Sequence, residues 1–306
     1  MTKPCLSIVL PTYNHASGLC GCLDDILAQT FCDYEIIAAD DGSTDNTRET
    51  ITDFIKTRNT GDKIIYLYQE HKGVSEARNL GIMNSRADYI AFIDDDDRWQ
   101  NNKLKLQLKA MTLDAEMTLS FTDSFFIYQN RGSSILQSKM MYMAGGDIFE
   151  KLLYKCFIIT SSVMAKKSAL IEAGLFDKSI RVGEDWDLWL RMAYKHRVGY
   201  IKEPLLHYHL HDDNAHKDTS EMLAGHRMII EKIFYSGKFN EYKRLKTASE
   251  LNFYLTAAEA YVRKRCYSQA LKSLFSALLF MRPGYFWGTR RFFGVCLRFF
   301  IHYEKY

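Results

Sequence analysis

The chain has 306 residues, 47% apolar and 25% charged, with 17 Gly and only 4 Pro. That composition belongs to a folded protein with a substantial core and excludes disordered, collagen-like and low-complexity classes; the length calls for one large domain with an appendage, or two domains. The net charge of +3 hides an asymmetry, because residues 1–217 carry 25 basic against 30 acidic side chains, a balance of −5, while residues 218–306 carry 15 against 7, a balance of +8.

Short apolar runs alternate with stretches of helical period through the first two hundred residues. Leu6–Leu10, Glu35–Ala39, Lys63–Tyr68 and Tyr89–Ile93 read as buried strands, and residues 17–29, 44–57, 75–85 and 101–113 as the helices between them. This alternation predicts an α/β fold with a mainly parallel central sheet covered by helices on both faces. After Met117 the order becomes mixed: a strand at Met117–Tyr128, a turn at Gly145 and Gly146, a short helix, a strand at Ile159–Ala165, a helix opening at Gly183, and a strand at Gly199–Leu206. In the helix, Trp186, Trp189, Leu190 and Ala193 follow the i, i+3, i+4, i+7 spacing of a core-facing stripe.

From about residue 220 the pattern is helical throughout. Ala257, Ala260, Tyr261, Tyr267, Ala270, Leu274, Ala277, Leu278 and Pro283 have the spacing of one tetratricopeptide-like hairpin; a plain helical pair fits the same residues. The division expected is a catalytic domain at 1–217 and a helical C-terminal region at 218–306.

In an open parallel sheet, ligands bind beyond the carboxyl ends of the strands. Here those ends read Pro11-Thr12-Tyr13-Asn14, Asp40-Asp41-Gly42-Ser43-Thr44-Asp45 and Asp94-Asp95-Asp96-Asp97-Arg98-Trp99. Four adjacent aspartates crowded in a cleft repel one another unless a cation neutralises them, and oxygen-only ligands suit Mg²⁺ or Mn²⁺ with a diphosphate; a solvated acidic turn is the competing reading. A carboxylate at the second strand end can accept the imide N–H of a pyrimidine while Tyr13 stacks on the ring, although Ser43 or Thr44 capping the next helix also accounts for that turn. Glu184 and Asp185 lie at a helix start, where an acidic residue serves as cap or as base. His207, His209 and His211 fall on one side of an extended segment, within reach of a metal or diphosphate.

Taken together these blocks resemble the family 2 glycosyltransferases, inverting enzymes with the GT-A fold. The resemblance rests on Ser7–Asn14, Asp40–Asp45, Gly73 with Ala77-Arg78-Asn79-Leu80-Gly81, Phe92–Trp99 and Glu184–Arg191, in the family's order across residues 5–215. It implies a nucleotide-sugar donor, a UDP-sugar first among them, with Pro11, Tyr13 and Asp41 at the base, Arg78, Asp94 and Asp95 along the donor, and Asp94, Asp96 and His211 at a Mn²⁺ or Mg²⁺ ion. Asp185 takes the place of the family's general base. The family's Arg-x-His pair has no arginine here, His209 standing in its place, and the extra aspartate at Asp95 shifts the D-x-D reading by one residue. The acceptor expected is a glycan hydroxyl, lipid-linked if the C-terminal tail meets a membrane, as in bacterial surface-polysaccharide assembly.

The tail from Arg282 to Ile301 interleaves arginines with aromatic residues. It suits an amphipathic segment on the anionic inner face of the cell membrane, or aromatics docked on the protein's own core. Nucleic acid is not expected as a partner, because the motif-bearing half is acidic. No apolar run reaches the roughly 18 residues of a spanning helix, and the first residues lack a secretory pattern, so a cytoplasmic location is expected, with peripheral membrane attachment open. The seven cysteines form no C-x-x-C pair and read as thiols. Outside the transferase class, a non-catalytic nucleotide-sugar or carbohydrate-binding module of the same fold accounts for the motifs without Asp185; nucleotidyltransferases and aspartyl phosphatases require other residues after the first strand.

Overall fold

Leu6–Thr12 (β1) and Tyr34–Asp40 (β2) are buried along their whole length, the environment of central parallel strands enclosed on both faces. The structure, a computed structural model, describes residues 3–128, 133–210, 219–237, 239–281 and 291–297. The chain forms two compact units. One comprises Met1–Phe149, Phe157–Ser179 and Glu184–Asp212; the other comprises Glu150–Cys156, Ile180–Gly183 and Asp213–Tyr306.

The first unit opens with β1, α1 (Ala16–Leu27), β2, α2 (Thr47–Arg58), β3 (Ile64–Tyr68), α3 (Val74–Asn84) and β4 (Tyr89–Phe92). It continues with β5 (Arg98–Trp99), α4 (Lys103–Leu113), β6 (Met117–Tyr128), β7 (Ser133–Leu136) and α5 (Gln137–Met140). The sheet runs β3-β2-β1-β4 in parallel, the doubly wound order. It then turns mixed through β8 (Met164–Lys166), antiparallel to β4 and β6, and through β9 (Arg197–Leu210), parallel to β6 and antiparallel to β5. Between β8 and β9 lie α7 (Lys167–Glu172) and α8 (Glu184–Lys195). The expected α/β GT-A arrangement is the one present, and the switch point between β1 and β4 fixes where ligands can enter.

Helix α3 lies so close to β1 that a Cβ at Gly81 would sit 2.6 Å from Val9 Cγ1, which is why glycine stands there. Trp186, Trp189, Leu190 and Ala193 of α8 are all buried, as their spacing predicts. The strand expected at Ile159–Ala165 is shorter: Thr160–Ser162 form a 3-10 turn, closed by Ser162 N–H on the Ile159 carbonyl at 2.9 Å, and the strand starts at Met164. None of the seven cysteines forms a disulfide.

The second unit contains α6 (Phe149–Tyr154, from Glu150 onward), α9 (Thr219–Tyr235), α10 (Lys246–Arg263) and α11 (Tyr267–Leu279). Helices α10 and α11 form a hairpin whose core joins Leu251, Leu255, Ala258, Leu274 and Ala277 to Val295 of the helical segment 291–297. Ala257, Ala260, Ala270, Leu274 and Ala277 of the tetratricopeptide-like spacing are buried, but Leu278 is exposed. In the tail, Arg291 pairs with Glu259, and Phe292 and Cys296 pack against the hairpin; residues 282–290 and 298–306, Pro283 among them, lie outside the described residues. Among the described residues, no helix is long and apolar enough to cross a membrane.

Candidate active site

The carboxyl ends of β1, β2 and β4 carry the side chains that the sequence singles out. Pro11 is buried in β1, in register with Ala39, and Tyr13 follows it with an exposed ring stacked on His71, centroids 4.2 Å apart and planes at 22°. Asp41 is buried: Gln69 Nε2 and the Lys72 N–H donate to its Oδ1, and the Gly73 N–H donates to Oδ2. Gly42 has φ +82°, and a Cβ there would lie 2.6 Å from the His71 backbone nitrogen, so the turn requires glycine. Neither Ser43 nor Thr44 caps α2. Asp45 Oδ1 accepts from the Thr47 N–H at 3.0 Å instead, while Asn14 Oδ1 accepts from the Thr44 N–H at 2.7 Å.

The four aspartates after β4 have separate surroundings. Asp94 accepts from Arg78 Nη2 at 2.7 Å, and its own N–H donates to Ser161 Oγ at 3.0 Å. Asp95 accepts from Thr12 Oγ1 at 2.6 Å and lies 3.0 Å from His15 Nδ1, an interaction that raises the imidazole's pKa and ties this carboxylate to the end of β1. Asp97 is fully buried and accepts from the His209 N–H at 3.1 Å; burial, with the charges of Asp96 and Asp94, pushes its carboxyl well above the usual range. Burial also raises Asp94, against the pull of Arg78 and with Asp96 and Asp95 adding to it. Burial and mutual repulsion thus both weigh on the charged forms of Asp94 and Asp97.

Arg78, its side chain 5% exposed, joins this run to α8: Nη2 meets Asp94 and Nη1 meets Glu184, each at 2.7 Å. Burial opposes its charge, but Asp94, Glu184 and Asp185 keep the guanidinium firmly protonated. Burial and the adjacent Asp185 push the Glu184 carboxyl up to about 7. Asp185 itself is held by two donors, Thr160 Oγ1 to Oδ2 at 3.0 Å and the Trp186 N–H to Oδ1 at 2.7 Å.

Tyr208 shows how these groups converge. Its pKa is driven far up by burial and then by Asp97, Asp94, Asp96 and Asp185, so both the strand-end run and the start of α8 act on a single phenol. The charges of Asp96, the metal ligand implied by the resemblance, and of Asp185, the candidate base, thus both bear on Tyr208. His207 faces Gln100 across 2.9 Å and meets Phe125 edge-on, and His209 bonds to the Asp96 backbone. His211 lies outside the described residues.

Sequence reasoning missed Tyr208, Thr160, Ser161, His15 and His71 as members of this region. The polar Thr160-Ser161-Ser162 cluster before a strand was the one local sign available; the others are brought in by tertiary packing.

The pattern described as Glycosyl transferase family 2 matches residues 7–173. The chain belongs to that family. An uncharacterized glycosyltransferase of Rickettsia bellii is 33% identical over 210 residues, covering 69% of this chain and 29% of that protein. This family 2 chain therefore spans under a third of that relative's length. The Escherichia coli WfgD, named as a UDP-Glc:alpha-D-GlcNAc-diphosphoundecaprenol beta-1,3-glucosyltransferase, is 27% identical over 242 residues, 78% of this chain and 83% of that one. Among solved structures, TarS of S. aureus superposes with a TM-score of 0.65 at 16% identity, over 91% of this chain and 49% of TarS. A mannosyltransferase, PcManGT of Pyrobaculum calidifontis in complex with GDP-Man and Mn2+, gives 0.62 at 17% identity over 98% and 87%. At such identities these superpositions bear on the fold alone.

Proposed function

We propose that this family 2 chain catalyses metal-assisted, inverting transfer of a sugar from a nucleoside diphosphate, UDP foremost, to a hydroxyl of a glycan or lipid-linked acceptor in polysaccharide assembly. The observation that carries this reading is the Arg78 bridge, which ties the carboxylates after β4 to the N-terminus of α8 beside Asp185. Pro11, Tyr13 and Asp41 would receive the base, with Arg78, Asp94 and Asp95 along the donor. The UDP-Glc of WfgD and the GDP-Man and Mn2+ of PcManGT support the donor class and the cation.

The donor set fits a hard divalent ion. Asp94 and Asp96 offer oxygen ligands within a run of adjacent carboxylates that repel one another, and among the described residues no preformed group of three His, Cys, Asp or Glu side chains encloses a metal. Mg²⁺ and Mn²⁺ characteristically take one or two carboxylates and leave the remaining positions to phosphate and water. Asp94 and Asp96, with His211, would hold it; when bound it stabilises negative charge on the departing diphosphate.

The chain's own groups then account for the other half of the reaction. Thr160 and the Trp186 N–H orient the Asp185 carboxylate, which takes the proton of the acceptor hydroxyl as that oxygen attacks the anomeric carbon. The bond to the diphosphate breaks on the opposite face, so the anomeric configuration inverts and no covalent enzyme intermediate forms.

A thermal-shift panel of nucleotide sugars with Mn²⁺ identifies the donor. Titration calorimetry then tests the ion: chelation should weaken donor binding to the wild type at least about ten-fold, which is about 1.4 kcal/mol. Asp96→Ala should match that loss and respond little to chelation. Binding to the wild type that is indifferent to chelation would overturn metal assistance.

A lipid-linked acceptor also suggests where the chain works. Helix α11 exposes Leu271, Phe275, Leu278 and Leu279 along one side, segment 291–297 exposes Phe293 and Leu297, and the C-terminal region is rich in cations; we place this region on an anionic lipid surface. The wild type should co-sediment with phosphatidylglycerol vesicles more than with phosphatidylcholine vesicles, and Phe275→Glu/Leu279→Glu should lose the difference. Equal pelleting of the two proteins would overturn it.

A further inference from the structure

Asp41, the carboxylate assigned to the donor's base, already holds a planar ring partner. His71 Nδ1 lies 2.8 Å from Asp41 Oδ2 and 3.1 Å from the Asp41 carbonyl oxygen. Both are acceptors, so Nδ1 carries a proton and donates. With Gln69 Nε2 and the Lys72 and Gly73 N–H groups, the four acceptor positions of the carboxylate are filled. The same imidazole stacks on Tyr13.

One side chain thus makes both contacts that a nucleobase would make at these strand ends: a flat ring on Tyr13 and a ring N–H on Asp41. Uracil and guanine each offer that pair, and a base cannot have both while the imidazole stays. Two of the four donors to Asp41 are backbone N–H groups next to the start of α3 and cannot turn away. The His71 side chain is 56% exposed, so solvent can receive the ring, while its backbone is packed against the Gly42 turn.

We propose that His71 is an internal stand-in for the nucleobase, closing the base subsite in the free protein and rotating out when the donor's base replaces it on Tyr13 and Asp41. The inference rests on the nucleotide-sugar reading above. Its consequence is quantitative: the observed dissociation constant of a nucleotide equals the intrinsic one divided by the fraction of molecules with the imidazole out. Removing the ring therefore tightens binding, whereas a histidine that serves as a contact for the base would weaken it when removed.

Calorimetric titration of UDP, and of GDP in a parallel arm, into the full chain with Mn²⁺ tests this. His71→Ala should bind whichever nucleotide the wild type binds about three- to ten-fold more tightly. Pyrophosphate, which has no base, should bind both proteins equally, and Tyr13→Ala should weaken nucleotide binding. Unchanged or weaker nucleotide binding by His71→Ala, or an equal gain for pyrophosphate, would overturn the stand-in role. A wild type that binds neither nucleotide would instead remove the nucleotide-sugar reading, and this inference with it.

Discussion

Asp185→Asn should leave folding and donor binding intact while lowering sugar transfer by about 10²–10⁴-fold, the usual contribution of a positioned general base. The substitution is close to isosteric, and its surroundings tolerate it. The amide oxygen can keep the Trp186 N–H, and the Thr160 hydroxyl, which now donates at 3.0 Å, can turn and accept from the amide nitrogen. What disappears is the basic lone pair needed for the acceptor proton. Single-turnover transfer from the donor chosen by thermal shift, measured beside calorimetric donor affinity, separates the two effects. Transfer within about ten-fold of wild type, below what a base contributes, would remove Asp185 from the mechanism and favour a non-catalytic binding module of the same fold.

Arg78→Ala should be the most destabilising single change at the site. The guanidinium is nearly inaccessible and bonded to two carboxylates, so its removal strands Asp94 and Glu184 in a desolvated region at a cost of about 3–5 kcal/mol. For a unit of this size that is a fall in Tm of roughly 10 °C, from about 2–4 °C per kcal/mol. The deficit should shrink on acidification. Arg78 lowers the Glu184 and Asp94 carboxyls against burial and their acidic neighbours, so its removal lifts both further, and the variant gains more stability from protonation than the wild type as pH falls. Arg78→Lys should recover part of the loss, since it restores one charge without the two-pronged geometry. Thermal denaturation of the three proteins between pH 7 and pH 5 checks this; an Arg78→Ala protein as stable as wild type at pH 7 would mean the bridge is dispensable.

The parallel half of the fold was legible because Leu6–Leu10 and Glu35–Ala39 are short runs buried on both faces, with helical period on either side. Met117–Tyr128 was legible for a related reason: twelve residues with few turn formers become one long strand. Ile159–Ala165 misled because apolar content alone does not separate a strand from a 3-10 turn, and Thr160–Ser162 bend to place hydroxyls against Asp94 and Asp185. At the site, acidic residues placed after strands pointed to Asp41 and the Asp94–Asp97 run, while Asp185, at a helix start, drew its role as base from the family resemblance alone. Their partners were not visible: Arg78 and Glu184 are 106 positions apart, and the Tyr13–His71 stack depends on two loops meeting. Residue type alone does not separate the four aspartates, whereas packing ties Asp95 to Thr12 and His15 and buries Asp97. Such distinctions come from desolvation and pairing, which follow the tertiary fold and leave no local mark.

The most direct measurement is a crystal structure of the chain grown with Mn²⁺ and UDP, with an anomalous difference map at the manganese edge. One peak should appear beside Asp96, bridging to the diphosphate, with the Asp185 carboxylate facing the same cleft and the uracil on Tyr13. A manganese peak remote from Asp94 and Asp96, or a nucleotide bound where Asp185 cannot face its sugar side, would contradict the proposed reaction.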